Sequence, residues 1–172
     1  MKQTYPGTVI ERTNKSAGEF LFSIFALTKG LTLAQVREIT GLDTPAIQNW
    51  VNRGWVAHPV EKRYSVEHLA RILIINMLRD VMRFEAIGTV LSYINGDADD
   101  KDDDIISESK LYSYICDAVE KNVPLEKVVC DYTPNVAGAK ERLITALEII
   151  MHYYKAAQMR KSADELYLKT FN

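Results

Sequence analysis

The 172-residue chain predicts a mainly all-α fold: a helix-turn-helix unit with a small β wing, followed by a C-terminal helical bundle. Three observations carry that expectation. Two short amphipathic segments flank Gly41 and each opens on a cap signal. A stretch rich in turn formers comes next, and apolar residues then recur at helical steps towards the end of the chain. The same patterns divide the chain into a first unit over 17–96, an acidic linker over 97–106 and a helical module over 107–172.

Residues 1–16 hold no sustained periodicity and include Pro6 and Gly7, so a loosely held arm is expected there, with Lys2, Arg12 and Lys15 as its cations. From Ala17 to Lys29, Phe20, Leu21, Ile24, Phe25 and Leu27 form an apolar stripe ended by Gly30, which predicts a core helix. Thr32 and Gln35 then make a capping box, with Leu31 and Val36 able to staple across it, so a helix starts near Leu33. Gly41 closes it by taking the left-handed conformation at no steric cost. Asp43 or Thr44 caps a second helix, and Pro45 suits its first turn, where a missing N–H does no harm.

Two helices around so short a Gly-containing turn make a helix-turn-helix, whose second member enters a major groove. Leu33, Val36 and Ile39 on the first helix and Ile47, Trp50 and Val51 on the second fall at helical spacing and can pack together. The opposite face of the second helix carries Thr44, Gln48, Asn49, Asn52 and Arg53. Gln and Asn can pair bidentately with adenine, and Arg with guanine or a phosphate. A solvated polar face is the competing explanation for these residues taken alone. Residues 54–65 add weight: Gly54 ends the helix, Pro59 breaks any other, and Glu61-Lys62-Arg63-Tyr64 leads to Ser65, a cap for the next helix. An extended excursion tipped with cations suits a wing on phosphates, with Lys62, Arg63 and Tyr64 as its contacts.

Gly41-Leu42, Ile47, Trp50, Gly54-Trp55-Val56, Pro59, Arg63-Tyr64-Ser65 and Leu69 keep the order and spacing of the MerR-type winged helix-turn-helix of bacterial transcription regulators, which this stretch resembles. The tract GLDTPAIQNWVNRGWV…KRYS…LARILIINMLR looks closer still to a family of uncharacterised bacterial proteins with a MerR-like reader and an all-helical C-terminal part. The resemblance covers residues 20–95. It implies transcription control from a near-palindromic site. Three departures stand out: Gln48 replaces the usual Arg after the Ile of the recognition helix, the wing is short and lacks its glycine pair, and Lys62 stands where the pattern has a wing arginine.

After the wing, Val66–Met82 is apolar on most of its circumference, which predicts a helix buried on two sides. Arg71 and Arg79 are expected either towards a DNA backbone or paired with Glu67 and Asp80, and His68 as surface decoration. Phe84–Ile94 reads as a short amphipathic helix closed by Asn95-Gly96. The run DADDKDDD over 97–104 fails as a calcium loop, because Lys101 takes a ligand position and Asp102 the place of the turn glycine. A solvated linker is the expectation. Helices resume over Ser107–Lys121 and near Pro124–Cys130. Leu143, Leu147, Ile150, Tyr154 and Ala157 then step by threes and fours along a long segment, which Ser162-x-x-Glu165 could interrupt with a fresh start.

Net charge is −2, but its distribution is uneven. Residues 1–83 carry eleven Lys/Arg against seven Asp/Glu, and residues 84–172 carry ten against sixteen. A modestly basic half joined to an acidic one fits a DNA reader on a second module. Cys116 and Cys130, without CxxC spacing, are expected as two small buried hydrophobes. No apolar run is long enough for a membrane span and no secretory leader is legible, so a cytoplasmic location is expected.

No phosphate loop, nucleophile motif or HExxH is present, so neither an enzyme nor a bound metal or cofactor is expected. The leading expectation is a homodimeric, sequence-specific regulator bound to double-stranded DNA. Two alternatives compete with it. One is an effector sensor built on Tyr112, Tyr114, Tyr132, Tyr153 and Tyr154. The other is an interaction module whose helix-turn-helix grips a protein.

Overall fold

A computed structural model describes residues 3–100 and 102–171; Lys2 of the arm and Lys101 of the acidic run lie outside them. The described chain is mostly helical: α1 (Ala17–Phe25), α2 (Leu33–Thr40), α3 (Thr44–Asn52), α4 (Val66–Leu78), α5 (Phe84–Asn95), α6 (Glu108–Lys121), α7 (Leu125–Val128) and α8 (Ala139–Phe171). Extended pairing among the described residues is confined to isolated antiparallel bridges, Thr4 with Glu11, Leu31 with Tyr64 and Val60 with Arg63. No described helix is long and apolar enough to cross a membrane.

Local chemistry sets the helix boundaries. Ser16 with Glu19, Thr32 with Gln35 and Ser65 with His68 form reciprocal capping boxes at α1, α2 and α4. In each, a hydroxyl accepts an orphan amide while the third residue of the turn reaches back to the cap's own N–H. His68 is therefore a cap partner rather than surface decoration. Gly41 ends α2 at φ 72°, and its N–H donates to the Arg37 carbonyl.

Helix α4 is the axis of the molecule. Leu69, Ile72, Leu73, Ile74 and Ile75 are all at most 1% exposed, each contributing about 1.5–3 kcal/mol by burial. It packs against α2, α5, α6 and α8, and its closest association is with α6. One hydrophobic cluster runs without a break from Tyr5 to Met151.

Three expectations are corrected, and one point that the sequence left open is decided. The N-terminal arm is folded into the core: Tyr5 is fully buried and stacks on Phe20 at 4.1 Å, and the Tyr112 hydroxyl donates to the Pro6 carbonyl at 2.7 Å. Asn76 Nδ2 donates to the carbonyls of Gly7 and Thr40, at 2.8 and 3.0 Å. The first helix stops at Phe25, and Leu27 is fully exposed. The long C-terminal segment is one helix of 33 residues, uninterrupted at Ser162. Cys130 is exposed, and only Cys116 is buried.

The acidic run is anchored at several points. Ala98, Ile105 and Ile106 are buried beside it, Asp103 accepts the Asp97 N–H, and Asp99 accepts the His58 N–H at 3.0 Å. That bond, ahead of the facing His58 ring, holds the Asp99 carboxyl below its ordinary range. A cleft of about 1150 Å³ opens between the arm and α8, with Arg12, Glu120, Arg79, Asp80, Tyr154 and Leu168 on its walls.

Candidate nucleic-acid interface

Helix α3 starts at the Asp43 cap, whose carboxylate accepts the Ala46 N–H at 2.9 Å, with Pro45 in the first turn. Its two faces divide cleanly. Ile47, Trp50 and Val51 are 0, 2 and 7% exposed, whereas Gln48, Asn49, Asn52 and Arg53 are exposed and Thr44 is half-buried. Arg53 and Asn49 are brought together one turn apart, Nε donating to Oδ1 at 3.0 Å. The Arg53 guanidinium also lies 5.2 Å from the centre of the Trp55 ring. An arginine held by an amide and an aromatic face has lost most of its rotamer freedom before meeting a ligand.

Behind α3 the support is aromatic and ionic. Trp55 stacks on Phe84 at 4.9 Å with the planes 3° apart, and Trp50 meets the same ring at 5.8 Å. The Trp55 carbonyl accepts from Arg71 Nε at 2.6 Å, and Arg71 Nη1 donates to Glu108 Oε1 at 2.5 Å. Both side chains are buried, and Asn95 Nδ2 adds a bond of 3.3 Å to the same carboxylate oxygen. Arg71 therefore faces neither a DNA backbone nor Glu67. Glu67 instead accepts from the Ser109 N–H and hydroxyl, at 2.9 and 2.6 Å. The sequence did hold one signal for this pair, a guanidinium set inside the apolar run LARILIINML, which has to find an acid.

The cationic excursion is a two-residue turn. Arg63 N–H donates to the Val60 carbonyl at 2.8 Å, and Glu61 and Lys62 both take positive φ, 49° and 59°, as in the primed turns that match strand twist. Tyr64 and Leu31 exchange two backbone bonds of 2.8 Å, which tie its base to the segment before α2. Lys62 and Arg63 are exposed and have no ion-pair partner among the described residues. Tyr64 corrects the sequence reading: its ring is 5% exposed and set edge-on to His68, so it holds the turn in place and is not available to a phosphate. Burial also raises the pKa of its hydroxyl.

The tyrosines considered for an effector site do not converge. The hydroxyls of Tyr112, Tyr114 and Tyr132 are committed to Pro6, Asp131 and Ile105 respectively. Tyr153 is exposed and Tyr154 lines the cleft beside α8.

A family model described as "Domain of unknown function (DUF1836)" matches residues 20–115, from α1 through most of α6. "Uncharacterized protein YkrK" of Bacillus subtilis (strain 168) is 29% identical over an alignment 161 residues long, with 78% of this chain and 69% of the relative covered. No solved structure gives a significant match.

Proposed function

The chain belongs to the DUF1836 family, and from the two-faced α3 helix we propose that this member is a sequence-specific DNA-binding regulator acting as a homodimer. In this reading α2 and α3 are a helix-turn-helix on the MerR-like plan, and the turn from Val60 to Arg63 is its wing. Residues 17–96 form the reader, 107–172 the dimer-forming module and 97–106 the acidic connection between them.

One observation carries the reading. The α3 face turned from the core presents two amides and a pre-stacked guanidinium, from Gln48, Asn52 and Arg53, with Asn49 steering the last. Thr44, Gln48 and Asn52 reach base edges, Arg53 takes a guanine or a flanking phosphate, and Lys62 and Arg63 sit on backbone phosphates. Tyr64 fixes the wing from beneath.

Selection of bound oligonucleotides from a random pool, followed by salt titration of the enriched sequence, tests it. A two-fold motif is expected. Gln48→Ala and Asn52→Ala should each lower discrimination at one position by about 1–3 kcal/mol. Lys62→Ala and Arg63→Ala should weaken all sequences alike, each reducing the salt slope by roughly one. Micromolar binding without sequence preference would overturn it.

A further inference from the structure

We propose that the outward face of α8 is a self-association surface on which a second copy of this chain docks antiparallel, in one register. This rests on the homodimeric reading and deepens it by naming the surface; its observations come from α8 alone.

Leu143, Ala146, Leu147 and Ile150 turn one side of α8 into the core. The opposite side carries a second seam at alternating steps of three and four: Ile149, His152, Ala156, Met159, Ala163 and Leu166, all exposed. Ile149, Met159 and Leu166 are 37, 74 and 66% exposed. A heptad stripe of this kind directed at water has the pattern of a coiled-coil seam whose partner is missing. The two seams are on opposite sides of the helix, so two copies can pair along the outer one while their bodies stay apart.

Size and charge select the partner and its direction. In an antiparallel pair with Ile149 opposite Leu166, the next layers set His152 against Ala163 and Ala156 against Met159, so a small side chain meets a larger one in both. The flanking positions then place Glu148 beside Lys169 of the second copy, Tyr153 beside Arg160 and Lys155 beside Ser162, with no like charges adjacent. One heptad further along, the same seam would set Lys155 against Lys169 and Arg160 against its own copy. A parallel pair would set Lys155 against Arg160 and alanine against alanine. Only the first arrangement satisfies both packing and charge.

The overlap from Glu148 to Lys169 is roughly 33 Å long at 1.5 Å per residue. The contact is isologous and closes at two copies.

The test uses the full chain carrying Cys130→Ser, without DNA. Ile149→Cys and Leu166→Cys proteins, mixed and oxidised, should give a cross-linked dimer in high yield, and Ala156→Cys mixed with Leu166→Cys should give at least tenfold less. By light scattering the parent should be a dimer at 20 μM, and Met159→Glu/Leu166→Glu a monomer with unchanged helix content and melting. A parent that is monomeric, a dimer that survives the two glutamates, or preferential cross-linking of the 156/166 pair would each overturn the inference. Each of these readouts is independent of whether the protein selects a DNA sequence.

Discussion

Glu61 and Lys62 hold the turn between Val60 and Arg63 with φ of 49° and 59°, a region that costs an ordinary L-residue about 1–2 kcal/mol. The glycine pair of a MerR-type wing is absent here, and two charged residues adopt the strained conformation instead. Lys62→Gly should therefore raise unfolding stability in urea by about 1 kcal/mol, and under the proposed function it should weaken DNA binding, because it removes the ammonium assigned there to a phosphate. Glu61→Asn should raise stability and tighten binding together. Gly7→Ala should do the reverse: at φ 73° its Cβ would lie 2.2 Å from the Leu73 carbonyl oxygen, and a loss well above 1 kcal/mol is expected on a melt. At the cysteines, burial pushes the Cys116 thiol up to about 12, while Cys130 is exposed. Alkylation at pH 8 should add one label to the native protein and two in denaturant, read by mass. The caps at Thr32, Asp43 and Ser65 were legible in the sequence because a cap is decided within four residues. The burial of Tyr64 and exposure of Cys130 were not, since each depends on what the rest of the chain lays beside it.

Between elements, the Arg71–Glu108 pair joins the end of α3 to α4 and α6 through the Trp55 carbonyl. Glu108 Oε2 is buried without a hydrogen-bond partner, so the pair rests on the other oxygen. Arg71→Met alone strands a buried carboxylate and should cost about 3–5 kcal/mol, whereas Arg71→Met with Glu108→Leu should recover most of it in urea melts. The broad apolar face of α4 was readable from the spacing of its residues. The identity of the acid was not, because Glu108 lies 37 positions away. Asp131 ties α6 to the turn after α7, accepting from Lys110 and from the Tyr114 hydroxyl; those bonds lower its pKa. A carboxyl depressed in the folded state stabilises above its ordinary range and loses that contribution as pH falls through its folded value. Melting temperature should thus decline below about pH 4, with a shallower decline in Asp131→Asn. In α8, a cap signal at Ser162 was overridden by a run of good helix formers on either side of it.

Taken whole, the molecule has one core, from Tyr5 to Met151, although sequence patterning divides it by charge and by function. That continuity was hidden because periodicity marks a buried face without saying which element covers it. The arm escaped notice for a related reason: Tyr5, Pro6 and Gly7 act through single contacts with α4 and α6 and make no repeat. A fragment ending at residue 96 would strip α4 of its α6 and α8 cover, and expression of 1–96 should give insoluble material. The shared core also bears on how a dimer would grip a duplex. In the proposed dimer, with α3 and α8 joined through one core, the two α3 helices would keep a fixed separation. The pair would act as a fixed calliper. One or two base pairs inserted between half-sites turn one of them around the duplex axis by roughly a tenth of a turn each, and affinity should fall to that of a single half-site.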